Sequence, residues 1–188
     1  MKQISMLLIA GTLVFSACSE NLSSTGEKTV MVGGAAMYPS KNIVENAVNS
    51  ADHTTLVAAV KAAGLVETLQ SAGPFTVFAP TNAAFNLLPA GTVENLVKPE
   101  NKGTLTKILT YHVVSGKYNA ADIIKLIKAG NGSAALTTVQ GSTLTASMSG
   151  KSVILTDGMG NRSTVTIANV NQSNGVIHVI DRLVMPKM

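Results

Sequence analysis

The spacing of apolar residues changes along this chain, and the change divides it into two halves. Between residues 43 and 128, apolar positions recur every three or four residues, which is the period of an amphipathic helix. From residue 136 onward they alternate with polar positions, as in a strand with one buried face. The pattern predicts an α+β domain with helices in its first half and strands in its second.

The helical half is predicted to hold several short helices. One apolar stripe runs from Leu56 to Ala63 and ends at Gly64, and Thr54 and Thr55 are placed to cap its start. Thr92 is placed to cap another helix. The predicted helical segments are residues 43–48, 54–63, 65–72, 81–88, 93–97, 105–112 and 122–128.

The strand half is punctuated by glycine and asparagine, which mark turns. Residues 157–161 are predicted to form a hairpin loop between two strands. Its predicted strands are residues 136–139, 142–146, 153–156, 165–170 and 176–181, and one further strand, residues 75–79, is predicted within the helical half.

The last predicted strand has apolar residues on both faces. Val176, His178 and Ile180 share one face, and Ile177 and Val179 share the other. A strand of this kind is buried between layers. We therefore expect the polar residues at its end, His178 and Asp181, to be hydrogen-bonded inside the fold.

Three segments of the chain resemble the fasciclin (FAS1) domain family. They are the G-P-F-T-V-F-A-P-T-N-A-A-F run at residues 73–85, the Tyr111-His112 pair, and the S-N-G-V-I-H-V-I-D run that begins at residue 173 and leads to Pro186. The resemblance spans roughly residues 40–186. It implies a single fasciclin-like domain, a β-sandwich or wedge with several short helices packed along it, and extracellular adhesion or matrix roles without chemistry. The positions it marks as the structural motif are Phe78, Pro80, Thr81, Asn82, Phe85, His178 and Asp181.

The Tyr111-His112 pair has two interpretations. In animal relatives this motif is associated with cell adhesion through integrins, so the resemblance makes both residues candidates for binding. The alternative is that both side chains are packed in the core, where the tyrosine hydroxyl needs a hydrogen-bond partner.

The N-terminus has the features of an export signal. Lys2 precedes a 12-residue apolar run, Ile4 to Phe15, which is shorter than the ~20 residues of a membrane-spanning helix. Cys18 follows in a context that resembles a bacterial lipobox. We predict a lipoprotein signal peptide at residues 1–17, a lipid anchor on Cys18 that holds the chain on a membrane, a flexible tether at residues 18–38 and the FAS1 domain at residues 39–188. The alternative is ordinary signal-peptide cleavage that leaves a free thiol.

Charge and composition exclude several classes of function. Charged residues make up 13% of the chain, aromatic residues 4%, and no two basic residues are adjacent, so a nucleic-acid surface is not expected. The net charge of +4 allows weak attraction to an acidic polysaccharide. The three histidines, His53, His112 and His178, lack metal-ligand spacing, and no G-x-S-x-G motif is present. We expect no metal, no cofactor and no catalytic residue.

Two classes of function remain. The first is a non-catalytic adhesion or binding module, anchored by lipid at the bacterial cell envelope, that contacts matrix polysaccharide, a cell surface or an envelope protein. The second is a small-ligand-binding or enzymatic envelope lipoprotein that reuses the fold. An apolar pocket with convergent polar groups would favour the second class.

Overall fold

The computed structural model describes residues 27–187 as seven helices, nine strands and two short 3-10 helices. The predicted signal peptide, Cys18 and the first part of the predicted tether lie outside the described residues. The helices are α1 (Ile43–Ala47), α2 (Thr54–Ala63), α3 (Val66–Gln70), α4 (Asn82–Asn86), α5 (Thr92–Leu96), α6 (Lys102–Tyr111) and α7 (Ala120–Ala129). The strands are β1 (Val30–Val32), β2 (Ala35–Met37), β3 (Phe75–Pro80), β4 (Val113–Ser115), β5 (Ser133–Thr137), β6 (Thr143–Ser149), β7 (Ser152–Thr156), β8 (Arg162–Gln172) and β9 (Gly175–Ile180).

Seven strands form one curled sheet in the order β4-β3-β9-β8-β7-β6-β5. Strand β8 is irregular between Val165 and Val170, and such irregularities bend a strand and increase its twist. The sheet curls until its two edges meet, where the amide of Val139 donates to the carbonyl of Val113 at 2.7 Å. This wedge, with helices packed along it, confirms the predicted α+β class.

The two longer fasciclin-like segments, which contain β3 and β9, lie side by side at the centre of the sheet. Strands β3 and β9 are parallel, and their register places Phe78 opposite His178. The two rings stack with centroids 5.7 Å apart. Every residue of β9 is buried, as its two apolar faces predict.

The sheet separates two hydrophobic cores. One core lies between the sheet and the helices of the first half, and includes Leu56, Phe85 and Ile177. The other fills the inside of the curl, where Ile123 and Ile127 of α7 pack with buried residues of β5, β6 and β7. Helix α7 therefore fills the interior of the curled sheet.

Side-chain caps fix the starts of α4 and α2. Thr81 caps α4 by accepting from the amide of Ala84 at 3.3 Å, as expected. The prediction that Thr54 and Thr55 cap α2 themselves is wrong. Asn82 supplies this cap, because its Oδ1 accepts from the amide of Thr55 at 3.0 Å and its Nδ2 donates to the hydroxyl of Thr54 at 2.9 Å.

Glycine sets two other helix boundaries. Helix α2 ends at Gly64, whose φ of 74° is the left-handed conformation expected of a glycine cap. Helix α5 is preceded by Gly91 with a φ of 80°, so Thr92 is its first residue and not its cap as predicted.

The predicted tether is wrong in its second half. Residues 30–37 form the hairpin of β1 and β2, and Val32 and Met37 are each 3% exposed within the helical core. The turn between the strands is Gly33-Gly34, and both glycines have positive φ, which a tight two-residue turn requires. The ordered domain therefore includes residue 30 and does not begin at residue 39.

Candidate functional site

Tyr111 is buried at the end of α6 and joins two parts of the strand half. Its side chain is 0% exposed. The hydroxyl donates to the carbonyl of Thr143 at 2.9 Å and accepts from the amide of Gly158 at 3.1 Å. Burial raises the pKa of this hydroxyl, although the Gly158 amide acts in the opposite direction. Tyr111 therefore stays neutral and connects α6 to the loop between β7 and β8.

His112 follows as the cap of α6 and is 2% exposed. Its Nε2 accepts from the amide of Val184 at 3.2 Å, which assigns the proton to Nδ1, and Nδ1 donates to the carbonyl of Ile108 at 2.8 Å. Burial lowers the pKa of His112 to about 4. The neutral imidazole therefore ties the C-terminal segment to α6.

The prediction of Tyr111 and His112 as binding residues is wrong for direct contact. Both side chains are buried, so neither reaches a partner at the surface. Their polar atoms are used in hydrogen bonds within the fold. The motif influences the surface through the C-terminal segment that His112 holds and through the loop that Tyr111 holds.

That loop, residues 157–161, is organised around a buried carboxylate. Asp157 is 6% exposed, and its Oδ1 accepts from the amides of Met159 and Asn161 at 2.9 Å and 2.8 Å. Its Oδ2 accepts from the amide of Met185 at 2.9 Å. The predicted hairpin loop is therefore present, and the Asp157 carboxylate holds its backbone. The loop presents Met159 with 61% of its surface exposed. The sequence signal for these hydrogen bonds was an aspartate followed by Gly158, because an aspartate side chain commonly hydrogen-bonds to the backbone of such turns.

Three basic residues lie on backbone segments next to the loop that carries the exposed methionine. We name this surface the loop face and define it by Met159, Arg162, Arg182 and Lys187, all of which are exposed. The backbone brings these residues together, because the hydroxyl of Ser163 donates to the carbonyl of Arg182 at 2.8 Å and Gly158 lies against the backbone of Lys187. Asp181 is an exposed acidic residue in the same region. The loop face therefore combines three positive charges with an apolar side chain.

Asp181 is hydrogen-bonded within the fold as expected, but the expectation that it is buried is wrong. Strand β9 ends at Ile180, Asp181 is exposed, and its Oδ1 accepts from the amide of Thr164 at 2.7 Å. The carboxylate stabilises the pairing of β8 with the end of β9 from the surface.

His178 is buried, at 1% exposure, and has different partners from Asp181. Its Nε2 donates to the carbonyl of Tyr118 at 2.9 Å, and its Nδ1 accepts from the amide of Asn169 at 3.4 Å. Burial lowers the pKa of His178, opposed by the Tyr118 carbonyl. The structure does not bring His178 and Asp181 together as a base and its orienting acid.

A cavity of about 70 Å³ lies between the helices of the first half and β3. His53, 3% exposed, is in its wall. The Nδ1 of His53 lies 2.9 Å from the hydroxyl of Ser50, whereas its Nε2 has no hydrogen-bond partner within residues 27–187. Burial lowers the pKa of His53, and the nearby Ala79 backbone and the charge of Asp52 oppose the shift. Sequence reasoning missed this site because no local pattern marks it.

The described residues offer no metal centre. Within residues 27–187, no group of three or more histidine, cysteine or acidic side chains is placed to hold an ion. In the same part of the chain, no helix is long and apolar enough to cross a membrane.

Comparison with known proteins identifies the family. The fasciclin domain model matches residues 51–186, which is more than half of the chain. The chain belongs to the fasciclin domain family. Protein sll1483 of Synechocystis sp. is 49% identical over 87% of this fasciclin chain and 84% of its own length. Immunogenic protein MPB70 of Mycobacterium bovis is 35% identical over 94% and 84%. Cell surface glycolipoprotein MPB83 of the same species is 31% identical over 94% and 74%.

A solved structure supports the fold assignment. A pair of FAS1 domains from the insect cell adhesion molecule fasciclin I matches 78% of this chain with a TM-score of 0.69 and 19% identity. The present chain spans about half of that structure, 51% of its length. At this identity the likeness concerns the fold alone.

The motif positions of this fasciclin domain serve packing and helix capping. Phe78 is fully buried beside His178, Pro80 is buried at the end of β3, and Phe85 is 5% exposed in the helical core. Thr81 and Asn82 are half-buried and cap α4 and α2. These five residues fix the junction between the sheet and the helices.

Proposed function

We propose that this chain is a lipid-anchored, non-catalytic adhesion module of the bacterial cell envelope, which binds acidic polysaccharide through the loop face. Family membership supports the adhesive class. The basic loop face supplies the residues for contact.

The proposed anchor is Cys18. The match to cell surface glycolipoprotein MPB83 covers 94% of the chain and leaves only about 11 of 188 residues outside it, so the aligned region includes Cys18. This observation carries the proposal of surface display. A lipoprotein cysteine carries at least two acyl chains, and each buried CH₂ contributes about 0.8 kcal/mol, so the attachment is stable.

The chemistry of the loop face suits an acidic polymer. Arg162, Arg182 and Lys187 can pair with carboxylate or sulfate groups, and Met159 can cover the apolar face of a sugar ring. Exposed ion pairs are worth roughly 0.2–1 kcal/mol each, so one domain binds weakly. Many anchored copies on one cell raise the effective concentration and strengthen attachment.

The hydrogen bonds of the buried polar residues favour binding over catalysis. The buried His112 and His178 hydrogen-bond within the fold and not to a nucleophile, and Asp157 is used by backbone amides. Catalysis requires a nucleophile or base held beside its partner in a cleft. The loop face is an exposed surface without such a pair.

Changing Cys18 to Ala tests the anchor. We expect the variant chain to leave the membrane fraction or to remain unprocessed, because no acyl chain can be attached. Intact mass of the mature wild-type chain should include the acyl groups. A wild-type mass without them would contradict the anchor.

Charge removal tests the loop face. We compare the variant Arg162→Gln, Arg182→Gln, Lys187→Gln with a control in which the exposed residues Lys98, Lys107 and Lys128 become Gln. Both triples lose the same charge, but only the first loses the proposed contacts. At roughly 0.5 kcal/mol for each contact, the first should bind alginate about tenfold more weakly, and the control should bind as the wild type does.

Three results would refute this assignment of the loop face. They are equal weakening in the two triples, equal binding of neutral dextran and alginate, and binding that is insensitive to salt, since exposed charge contacts are screened.

A further inference from the structure

The wall of the cavity beside His53 is almost entirely apolar. Buried side chains from different elements form most of it, among them Ile43 of α1, Leu56 of α2, Leu69 of α3 and Val77 of β3. Such a wall does not hold ordered water well, because a buried water needs two to four polar partners. The composition of the wall suits a hydrocarbon group.

The cavity opens to solvent beside a lysine. Three residues of the wall are exposed, and they are Lys61, Thr68 and Val139. Lys61 follows Val57 by four residues, so the two side chains line the cavity from the same face of α2. A narrow molecule can therefore enter without unfolding the domain, and an end that remains outside lies near the Lys61 ammonium.

The charge at this opening is positive. Among the described residues that form the wall, Lys61 is the only lysine, arginine or acidic residue, and Glu67 of α3 is not part of the wall. The Nζ of Lys102 lies 3.3 Å from the position that a Cβ would take on Gly64, so a second ammonium approaches the end of α2. Within residues 27–187, neither lysine forms an ion pair with a carboxylate. The opening therefore offers positive charge to an anionic group.

We propose that the cavity binds a free medium-chain carboxylate, whose alkyl tail fills the cavity and whose carboxylate lies at Lys61. One water-sized group takes about 10–15 Å³ of such volume, so a cavity of about 70 Å³ holds roughly five carbon atoms. An engineered apolar cavity of about 150 Å³ binds benzene, so this smaller cavity favours a narrow chain over a ring. With the last carbons at the opening, the ligand has about six to eight carbon atoms. This site is in the helical half and does not depend on the loop face.

Ligands with one eight-carbon tail and different head groups test the proposal. The protein is the chain from residue 18 onward with Cys18→Ala, which retains every described residue and carries no acyl chain. NMR titrations at pH 7 compare octanoate, 1-octanol and octylammonium. We expect saturable shifts of amides around the cavity with octanoate. Octanol should bind about two- to fivefold more weakly, because the exposed ion pair is lost, and octylammonium should bind more weakly still.

Lys61→Gln separates the ion pair from the apolar contacts. This variant should bind octanoate about two- to fivefold more weakly than the wild type does, and octanol equally well. Lys128→Gln is the matched control, because Lys128 is also an exposed lysine in the last turn of a helix but lies outside the cavity wall. The control should bind octanoate as the wild type does. Equal octanoate affinity in the two variants, or equal affinity of the wild type for octanoate and octylammonium, would overturn the proposal.

The length of the tail tests the size of the site. From butanoate to hexanoate, each added CH₂ should tighten binding about fourfold, because it is buried in the cavity. Beyond octanoate the affinity should level off, because the cavity is full. Fourfold gains that continue to dodecanoate, or an absence of saturable shifts at amides around the cavity, would also overturn the proposal.

Discussion

Replacing Tyr111 by Phe removes a single buried hydroxyl and tests the role of the Tyr-His motif directly. The change eliminates the bond to the Thr143 carbonyl at 2.9 Å and the bond from the Gly158 amide at 3.1 Å. Each bond contributes about 0.5–1.5 kcal/mol. Thr143 and Gly158 are exposed, so water can replace part of the lost hydrogen bonding. We expect the free energy of unfolding to fall by about 1–2 kcal/mol.

Tyr118→Phe is the matched control for this change. It removes the same atom from a half-buried tyrosine whose hydroxyl makes no hydrogen bond within residues 27–187. Urea unfolding gives both free energies, and amide hydrogen exchange at Gly158 and Met159 reports whether the loop has loosened. We expect faster exchange in Tyr111→Phe only. Equal stability and equal exchange in the two variants would refute the view that the motif supports the loop.

Three further predictions concern stability. The pKa of His112 is about 4, against 6.5 in the unfolded chain, so the unfolded state binds more protons between these values. His112 should therefore lower the free energy of unfolding by about 3 kcal/mol as the pH drops from 6.5 to 4, and the lowered pKa values of His53 and His178 act in the same direction. Urea unfolding that is independent of pH in this window would contradict the assignment. Phe85→Ala should cost about 3–5 kcal/mol by thermal or urea unfolding, whereas Leu87→Ala, at an exposed position, should cost less than about 1 kcal/mol. Asp181→Ala should cost about 1 kcal/mol, because the carboxylate is exposed although hydrogen-bonded, and a loss above about 3 kcal/mol would indicate a buried role.

Local periodicity was sufficient to predict most of the secondary structure. The apolar stripe before Gly64 became α2, and the alternating second half became β5 to β8 with the expected hairpin at residues 157–161. The two apolar faces of residues 176–180 also predicted a buried strand, since neither face suits contact with water. These features depend on neighbours within a few residues, which a sequence displays directly.

Contacts between distant segments could not be predicted in the same way. The cap of α2 by Asn82 joins residues 27 positions apart, and the bond from Gly158 to Tyr111 joins residues 47 apart. The cavity beside His53 depends on the packing of several helices against the sheet. Such contacts follow from tertiary packing, which overrides local propensity.

The hairpin at residues 30–37 is a different case. Its signal was present as Gly33-Gly34 between two short apolar runs, a typical two-residue turn. The runs contain only three residues each, too few for periodicity to distinguish a strand from a tether.

Attachment of cells to alginate-coated glass tests the central claim, that this chain is an anchored adhesion module. Cells without the chain are complemented with the wild type, with Cys18→Ala, with the loop-face triple variant or with the control triple, at equal expression. The account predicts that the wild type and the control triple restore attachment, whereas the other two do not. Attachment that is unchanged by deletion, or that both triples restore equally, would contradict it.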